Sequence, residues 1–206
     1  MSISYPINIP THVDANAITL RTVNSVAASM SPFSNKQQVV AHSGQRWEAE
    51  VTLPPMNRAD AEQWVAFLVS LRGMLGTFLM GDPSGVTPRG SAGGTPIIQG
   101  SSQTGDVLII DGATANQTGW LKSGDYLQVG AGATASLHKV LADVNSDSDG
   151  NVVIDIWPSI KTAPSDNSTV VLSSAKGLFR LISNETSWNI TAASIYGITF
   201  GARQAL

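Results

Sequence analysis

Apolar and polar positions change rhythm along the chain, and the sharpest change comes near its first quarter. Trp47, Ala49, Val51 and Leu53 alternate with Arg46, Glu48, Glu50 and Thr52, the period-2 pattern of a half-buried strand. Pro54-Pro55 then stops the strand, and Ala61, Trp64, Val65, Leu68 and Leu71 recur at helical spacing. The spacing predicts a helix over 57–72, with Asn57 as N-cap, Asp60 three residues on, and Gly73 as the left-handed residue beyond its end. Such an apolar stripe needs a sheet to lie on.

Before this unit, Ala17 to Val23 alternate weakly and Ser34-Asn35-Lys36-Gln37-Gln38 is polar. Residues 1–43 therefore read as one or two strands and a long connection. After it, Met74 to Met80 is a short apolar strand closed by Gly81-Asp82-Pro83, and a Gly- and Pro-rich stretch runs from Ser84 to Pro96. Short strands without a helix follow at Val107–Ile110, Tyr126–Val129, Leu137–Leu141, Val152–Trp157 and Thr169–Leu172, the spacing of a small barrel or sandwich. Aromatic alternation returns from Lys176 through Phe179, Trp188 and Phe200. About thirty residues make no core alone, so this tail is expected to complete the sheet begun near Trp47. The resulting expectation is a mainly β fold with one principal helix. A β-sandwich-like host domain, 1–85 plus 176–206, carries an inserted small β-barrel or sandwich domain, 86–175.

Composition narrows the chemistry. Charged residues are 13% of the 206, about half the share usual in soluble domains, as in a turn-rich β protein whose surface is covered by neighbours. The net charge of −3 gives no pull on phosphate backbones, so sequence-specific nucleic-acid binding is not expected. With no cysteine, disulfides, thiolate catalysis and zinc ribbons drop out. No window reaches the roughly 18 apolar residues of a membrane helix, and Met1 to Ile7 lacks the features of a secretion signal, so no membrane span is expected and Asn116-Gln117-Thr118 and Asn184-Glu185-Thr186 are not read as glycosylation sites.

Candidate sites are few. Asn145-Ser146-Asp147-Ser148-Asp149-Gly150 opens like a calcium loop, but Ile156 stands where a bidentate Glu should close the shell, and a hairpin turn is the better reading. His12, His42 and His138 show no metal-ligand spacing. There is no Gly-x-Ser-x-Gly elbow. Asp106, Asp111, Asp125 and Asp155 could pair only by virtue of the fold, and Gly124-Asp125 reads first as turn chemistry. The glycines around Gly90–Gly94 lack a phosphate-loop ending and read as a flexible linker. No catalytic, metal or cofactor-binding residues are assigned, and no enzymatic activity is expected. Of the five tryptophans, Trp47, Trp64 and Trp188 fall on core-facing positions. Trp120 lies in a loop-like context; packing under the small barrel is the favoured role, and an exposed ring that stacks on a glycan is the alternative.

Several motifs occur in one order: Ser31-Pro32-Phe33-Ser34 with Gln37-Gln38-Val39, Gly44 to Met56, the helix to Gly73, Phe78 to Pro83 leading to Thr87-Pro88-Arg89-Gly90, and Gly177 to Leu181 through Ser194 to Phe200. In that order they resemble the minor tail proteins of long-tailed phages, specifically the distal tail (Dit-like) family. The insertion resembles small β domains grafted onto phage structural proteins. The resemblance implies a structural virion component at the distal end of the tail, assembled in the host cytoplasm. It would form a self-associated ring, usually a hexamer, that joins the tail tube to the baseplate hub or receptor-binding apparatus. The implied partners are further copies of this chain, the tail tube, tape-measure and hub or tail-fibre proteins, and host-surface glycans if the insertion binds them. An alternative is a carbohydrate-binding accessory module for host attachment. Strand edges at 18–23 and 195–200 are the places where subunits would meet, with Ile18, Leu20, Ile195 and Ile198 as edge residues.

Overall fold

The computed structural model describes residues 3–11, 14–15 and 17–205, so His12 lies outside the described residues. The fold is mainly β, with one α-helix and two principal sheets. The first sheet is assembled from both ends of the chain. In spatial order it contains β1 (Ile7–Asn8), β4 (Phe78–Met80), β11 (Gly177–Leu181), β13 (Tyr196–Gln204), β3 (Gln37–Thr52) and β2 (Ala17–Met30), with β12 (Trp188–Ile190) added to β13. The second contains β10 (Val170–Val171), β7 (Tyr126–Val129), β8 (Ser136–Val140), β9 (Val152–Ile160), β6 (Gly105–Ala113) and β5 (Gly94–Ile98).

The Trp47 strand is where the alternation places it: Trp47, Ala49, Val51 and Leu53 are all buried. Proline lacks an N–H, so Pro54-Pro55 interrupts the ladder. Pairing with β13 nevertheless resumes one residue later, where Met56 and Tyr196 exchange backbone bonds of 3.1 and 2.8 Å. The helix α1 (Arg58–Ser70) then begins. Asn57 caps it, accepting from Asp60 N at 3.2 Å and donating through Nδ2 to the Asp60 carboxylate at 3.0 Å. The end differs from the reading by one residue: Leu71 is the C-cap, and Arg72 is already left-handed at φ 52° before Gly73 at φ 67°. The stripe Ala61, Trp64, Val65, Leu68 and Leu71 is buried, and Phe67 joins it. Phe67 meets Phe78 edge-on with centroids 5.4 Å apart, and Phe78 in turn stacks beside Phe179 at 6.4 Å. The helix thus covers the face on which N- and C-terminal strands converge. Each such side chain contributes about 1.5–3 kcal/mol by leaving water.

The second sheet nearly closes into a barrel. Ile97 bridges Thr169, Ile98 N donates to Ser168 O at 2.9 Å, and Asn167 N donates back to Ile98 O at 2.9 Å, so β5 returns to the end of β10. Its interior is filled by Leu108, Ile110, Leu127, Val140, Ile154 and Ile156. The two sheets are stitched through Trp47. Its Nε1 donates to Leu137 O at 3.0 Å, its ring meets Trp157 edge-on at 4.7 Å, and Trp157 Nε1 donates to Asn24 Oδ1 at 2.8 Å. Ser159 N to Gln45 Oε1, 2.9 Å, and Leu178 N to Ala135 O, 3.0 Å, add two more stitches.

Two expectations change here. The long connection before the Trp47 strand is instead the tip of one hairpin, because β3 begins at Gln37 and pairs with β2 back to Met30. The glycines around Gly90–Gly94 form an ordered strap against the barrel: Ser91 N and Ala92 N donate to Gly119 O and Trp120 O at 3.1 and 2.9 Å. A Cβ on Gly90 would lie 2.3 Å from Trp120 O, so glycine serves close approach there and not flexibility.

Candidate functional site

Among the described residues, nothing covers the outer half of the β2–β3 hairpin. Up to Val23 and Arg46 the two strands belong to the packed sheet. Beyond a register shift between Val23 and Ser25 they continue as a two-stranded ribbon from Ser25↔His42 to Met30↔Gln37. Gly44, two residues past the Ser25 partner His42, packs against Ser25 at this shift, where a Cβ would come within 2.7 Å of Ser25 Cβ. The close approach of the two strands at the shift therefore depends on a residue without a side chain. The tip is a short loop, with Ser31 N donating to Lys36 O at 2.9 Å, Asn35 N donating to Ser31 O at 3.0 Å, and Asn35 left-handed at φ 53°.

Residues directly opposite in an antiparallel pair share a face. One face of the ribbon therefore carries Val26 with Ala41, Ala28 with Val39, and Met30 with Gln37. The other carries Ser25 with His42, Ala27 with Val40, and Ser29 with Gln38. The first face is apolar at every position but Gln37. Val26, Met30 and Val39 are 55%, 58% and 59% exposed, and Phe33 at the tip is 99% exposed. Isolated exposed apolar residues are ordinary, but a contiguous apolar face on a ribbon marks an interaction surface. A two-stranded hairpin without a third strand or a packing layer is also marginal in water. Lys36 is the only Asp, Glu, Lys or Arg between Ser25 and Gly44, so nothing electrostatic opposes contact with a neutral surface.

The predicted edges divide. Ile18 and Leu20 lie on β2, which ends the sheet, and its outer flank has no strand partner among the described residues. Ile195 and Ile198 do not lie on an edge. β13 pairs with β3 over Thr199 to Arg203, with β11 over Ala202 to Gln204 and with β12 at Tyr196 to Ile198, while Ile195 sits in the β12–β13 turn, its N–H donating to Thr191 Oγ1 at 3.2 Å. Ile198 is buried. Apolar alternation marks a sheet face, and it cannot say which strands flank it.

Trp120 takes the packed role, and its alternative reading as a glycan contact is corrected. It is 0% exposed, inside the barrel core, and its Nε1 donates to Gly93 O at 2.8 Å, which leaves no face for a sugar ring. Its loop-like flanks, Gly119 and Gly124, are turns that carry the ring inward. The Asn145–Gly150 segment is a turn in which Asp147 holds its own loop: Oδ1 accepts from Asp149 N and Asn151 N at 2.9 and 2.7 Å, and Oδ2 from Asn151 Nδ2 at 2.9 Å. These bonds hold the Asp147 carboxyl below its usual range, the Asn151 side-chain bond most of all.

His138 belongs to the barrel architecture. In the neutral tautomer Nδ1–H donates to Pro158 O at 2.7 Å and Nε2 accepts from Ser136 Oγ at 2.7 Å. Burial pushes its pKa down to about 4, against the opposing Pro158 bond. The unfolded chain, with an ordinary value near 6.5, takes up the proton first as pH falls. His138 therefore favours the fold fully above about pH 6.5, and that contribution, roughly 3 kcal/mol, is lost as pH falls toward 4. Urea titrations between pH 7 and 4.5 are expected to show this loss in the wild type and a flatter profile in His138→Gln. A profile identical in both would refute it.

Comparison with protein-family models and with curated proteins finds no match.

Proposed function

We propose that the protein is a structural component of a phage tail tip, associating with copies of itself in a ring that joins the tail tube to the hub or receptor-binding apparatus. The tail assignment rests on the ordered motif resemblance. Self-association rests on one observation, the uncovered apolar face of the arm bearing Val26, Met30 and Val39. A ring requires a heterologous contact, a protruding element on each subunit seated on a different surface of the next. An arm at one end of a sheet, beside the unpaired flank of β2, has that character. Carbohydrate binding is the weaker reading, because the residue proposed to carry it, Trp120, is enclosed.

The test combines mass and imaging. Sedimentation of the purified protein is expected to show a concentration-dependent oligomer, and electron microscopy of virions should place the chain in a closed ring at the distal tail. Replacing Val26 with Glu and Val39 with Lys adds charges to the arm's apolar face without touching either core. The double variant is expected to remain folded, with unchanged circular dichroism, while its association weakens at least about tenfold. A monomeric wild type, or an arm variant that assembles normally, would remove the arm from the interface. A chain absent from the tail would overturn the tail reading itself.

A further inference from the structure

A cavity of about 380 Å³ opens at the mouth of the barrel, where β6, β7 and the end of β9 approach β11. Barrel mouths are common ligand sites, and pockets of roughly 300–1,000 Å³ hold small molecules. Its wall is mainly aliphatic, with Leu108, Val129, Ile160 and Leu178. Hydroxyls of Thr134, Ser136 and Ser168 interrupt that wall. No Trp, Tyr or Phe lines it among the described residues, and the one ring in its wall is the His138 imidazole, so it lacks the broad stacking platform that a neutral sugar uses.

The charge is one-sided. Lys161 and Arg180 line the cavity and no Asp or Glu does. Among the described residues Lys161 has no hydrogen-bond or ion-pair partner. Desolvation and, after it, the nearby Arg46 hold its ammonium below the usual lysine range. Arg46 is itself occupied by Glu48 at 2.9 Å. Among the described residues Arg180 is engaged only by a 3.5 Å contact from Nη1 to Met74 O, which leaves its other guanidinium donors free of them. Asp166, the carboxylate closest in sequence to Lys161, instead accepts from Gly100 N at 2.7 Å and Asn167 Nδ2 at 3.0 Å. An aliphatic chamber with unneutralised cations and several hydroxyls suits an anion with a hydrocarbon body.

We propose that this cavity binds a small aliphatic carboxylate, with its hydrocarbon part against Leu108, Val129, Ile160 and Leu178 and its carboxylate directed to Lys161 and Arg180. The site is independent of the ring, so its failure would leave the tail reading untouched. Hexanoate is the probe, titrated into the whole chain and followed by backbone amide NMR shifts, with hexanamide and inorganic phosphate run alongside. Saturable shifts confined to the cavity wall are expected with hexanoate. At least about tenfold weaker binding is expected for hexanamide, for phosphate and for Lys161→Met, as befits loss of a charge-assisted contact or of the hydrocarbon body. Ala163→Trp, which narrows the cavity from its exposed side, should abolish the shifts in an otherwise unchanged spectrum. Equal binding of hexanamide would reduce the site to an apolar hole, equal binding of phosphate to a basic patch, and unsaturated shifts to no site. Each of those results overturns the proposal.

Discussion

Trp120→Ala is expected to unfold the barrel under conditions in which the native protein is stable, because it opens the largest fully enclosed position in the molecule. Truncating a buried tryptophan typically costs about 3–5 kcal/mol through lost transfer energy and the cavity left behind. Here Gly93 O also loses its donor at 2.8 Å, and an unsatisfied buried carbonyl adds to that cost. The strap 90–94 is held partly by that bond and lies directly on the Trp120 backbone, so it should detach as well. Thermal unfolding followed by near-UV circular dichroism should show a drop of roughly 10 °C or more, taking about 2–4 °C per kcal/mol for a chain of this size. Trp120→Phe, which keeps most of the ring volume and loses the N–H, should recover much of the loss. A Trp120→Ala protein of native stability would mean that the ring is exposed in solution, and would return it to consideration as a glycan contact. This makes the alanine variant a poor probe of ligand binding, since any lost retention on a glycan surface would first reflect a lost fold.

Trp120 also shows where the sequence was informative and where it was not. A strand or helix is a local pattern, and burial along it follows from its period. That is why Trp47, Val51, Trp64 and Leu68 could be placed on core faces, why Asn57 could be named as a cap, and why Tyr126–Val129 is observed with the bounds its sequence suggests. A loop residue has no period, so the depth of Trp120 is set by Gly93, which lies twenty-seven positions away and packs on it. Edges fail for a related reason. Ile198 and Leu20 both alternate, yet one is flanked by Trp188 of β12 and by Leu53, whose N–H donates to its carbonyl at 3.0 Å, and the other lies at the sheet's end. That difference arises from strand order. The arm was hidden in a third way: Ser34 to Gln38 is polar, as many connections are, while the exposed Val39 and Val40 resemble any strand interior until the absence of a covering layer is visible. The cavity had no local signal, because Leu108, Ser136, Lys161 and Arg180 come together only when the barrel meets β11.

Asp125→Asn is expected to be nearly as damaging as Asp125→Ala, an outcome that separates a structural anion from ordinary turn chemistry. The carboxylate is buried and accepts from three backbone donors, Arg89 N at 2.9 Å, Gly90 N at 3.1 Å and Lys122 N at 2.8 Å. The Arg89 guanidinium approaches Oδ1 at 3.5 Å and donates to Ser123 O as well. Asparagine has the same shape but only one acceptor oxygen, and its amide must face at least one backbone N–H as donor against donor. Either substitution therefore strands buried N–H groups, and alanine strands all three. Because Arg89 is largely exposed, most of the effect belongs to the backbone bonds and little to the ion pair. Losing bonds to a buried charge places the expected cost at about 3–5 kcal/mol for Ala and only slightly less for Asn. Urea unfolding measures it, and limited proteolysis between Ser84 and Pro96 reports the local consequence, since this carboxylate ties the start of the strap to the Lys122–Asp125 turn. An Asn variant within about 1 kcal/mol of wild type would show that a single acceptor is enough, and the strap would then owe its place to Trp120 and the close glycine packing alone.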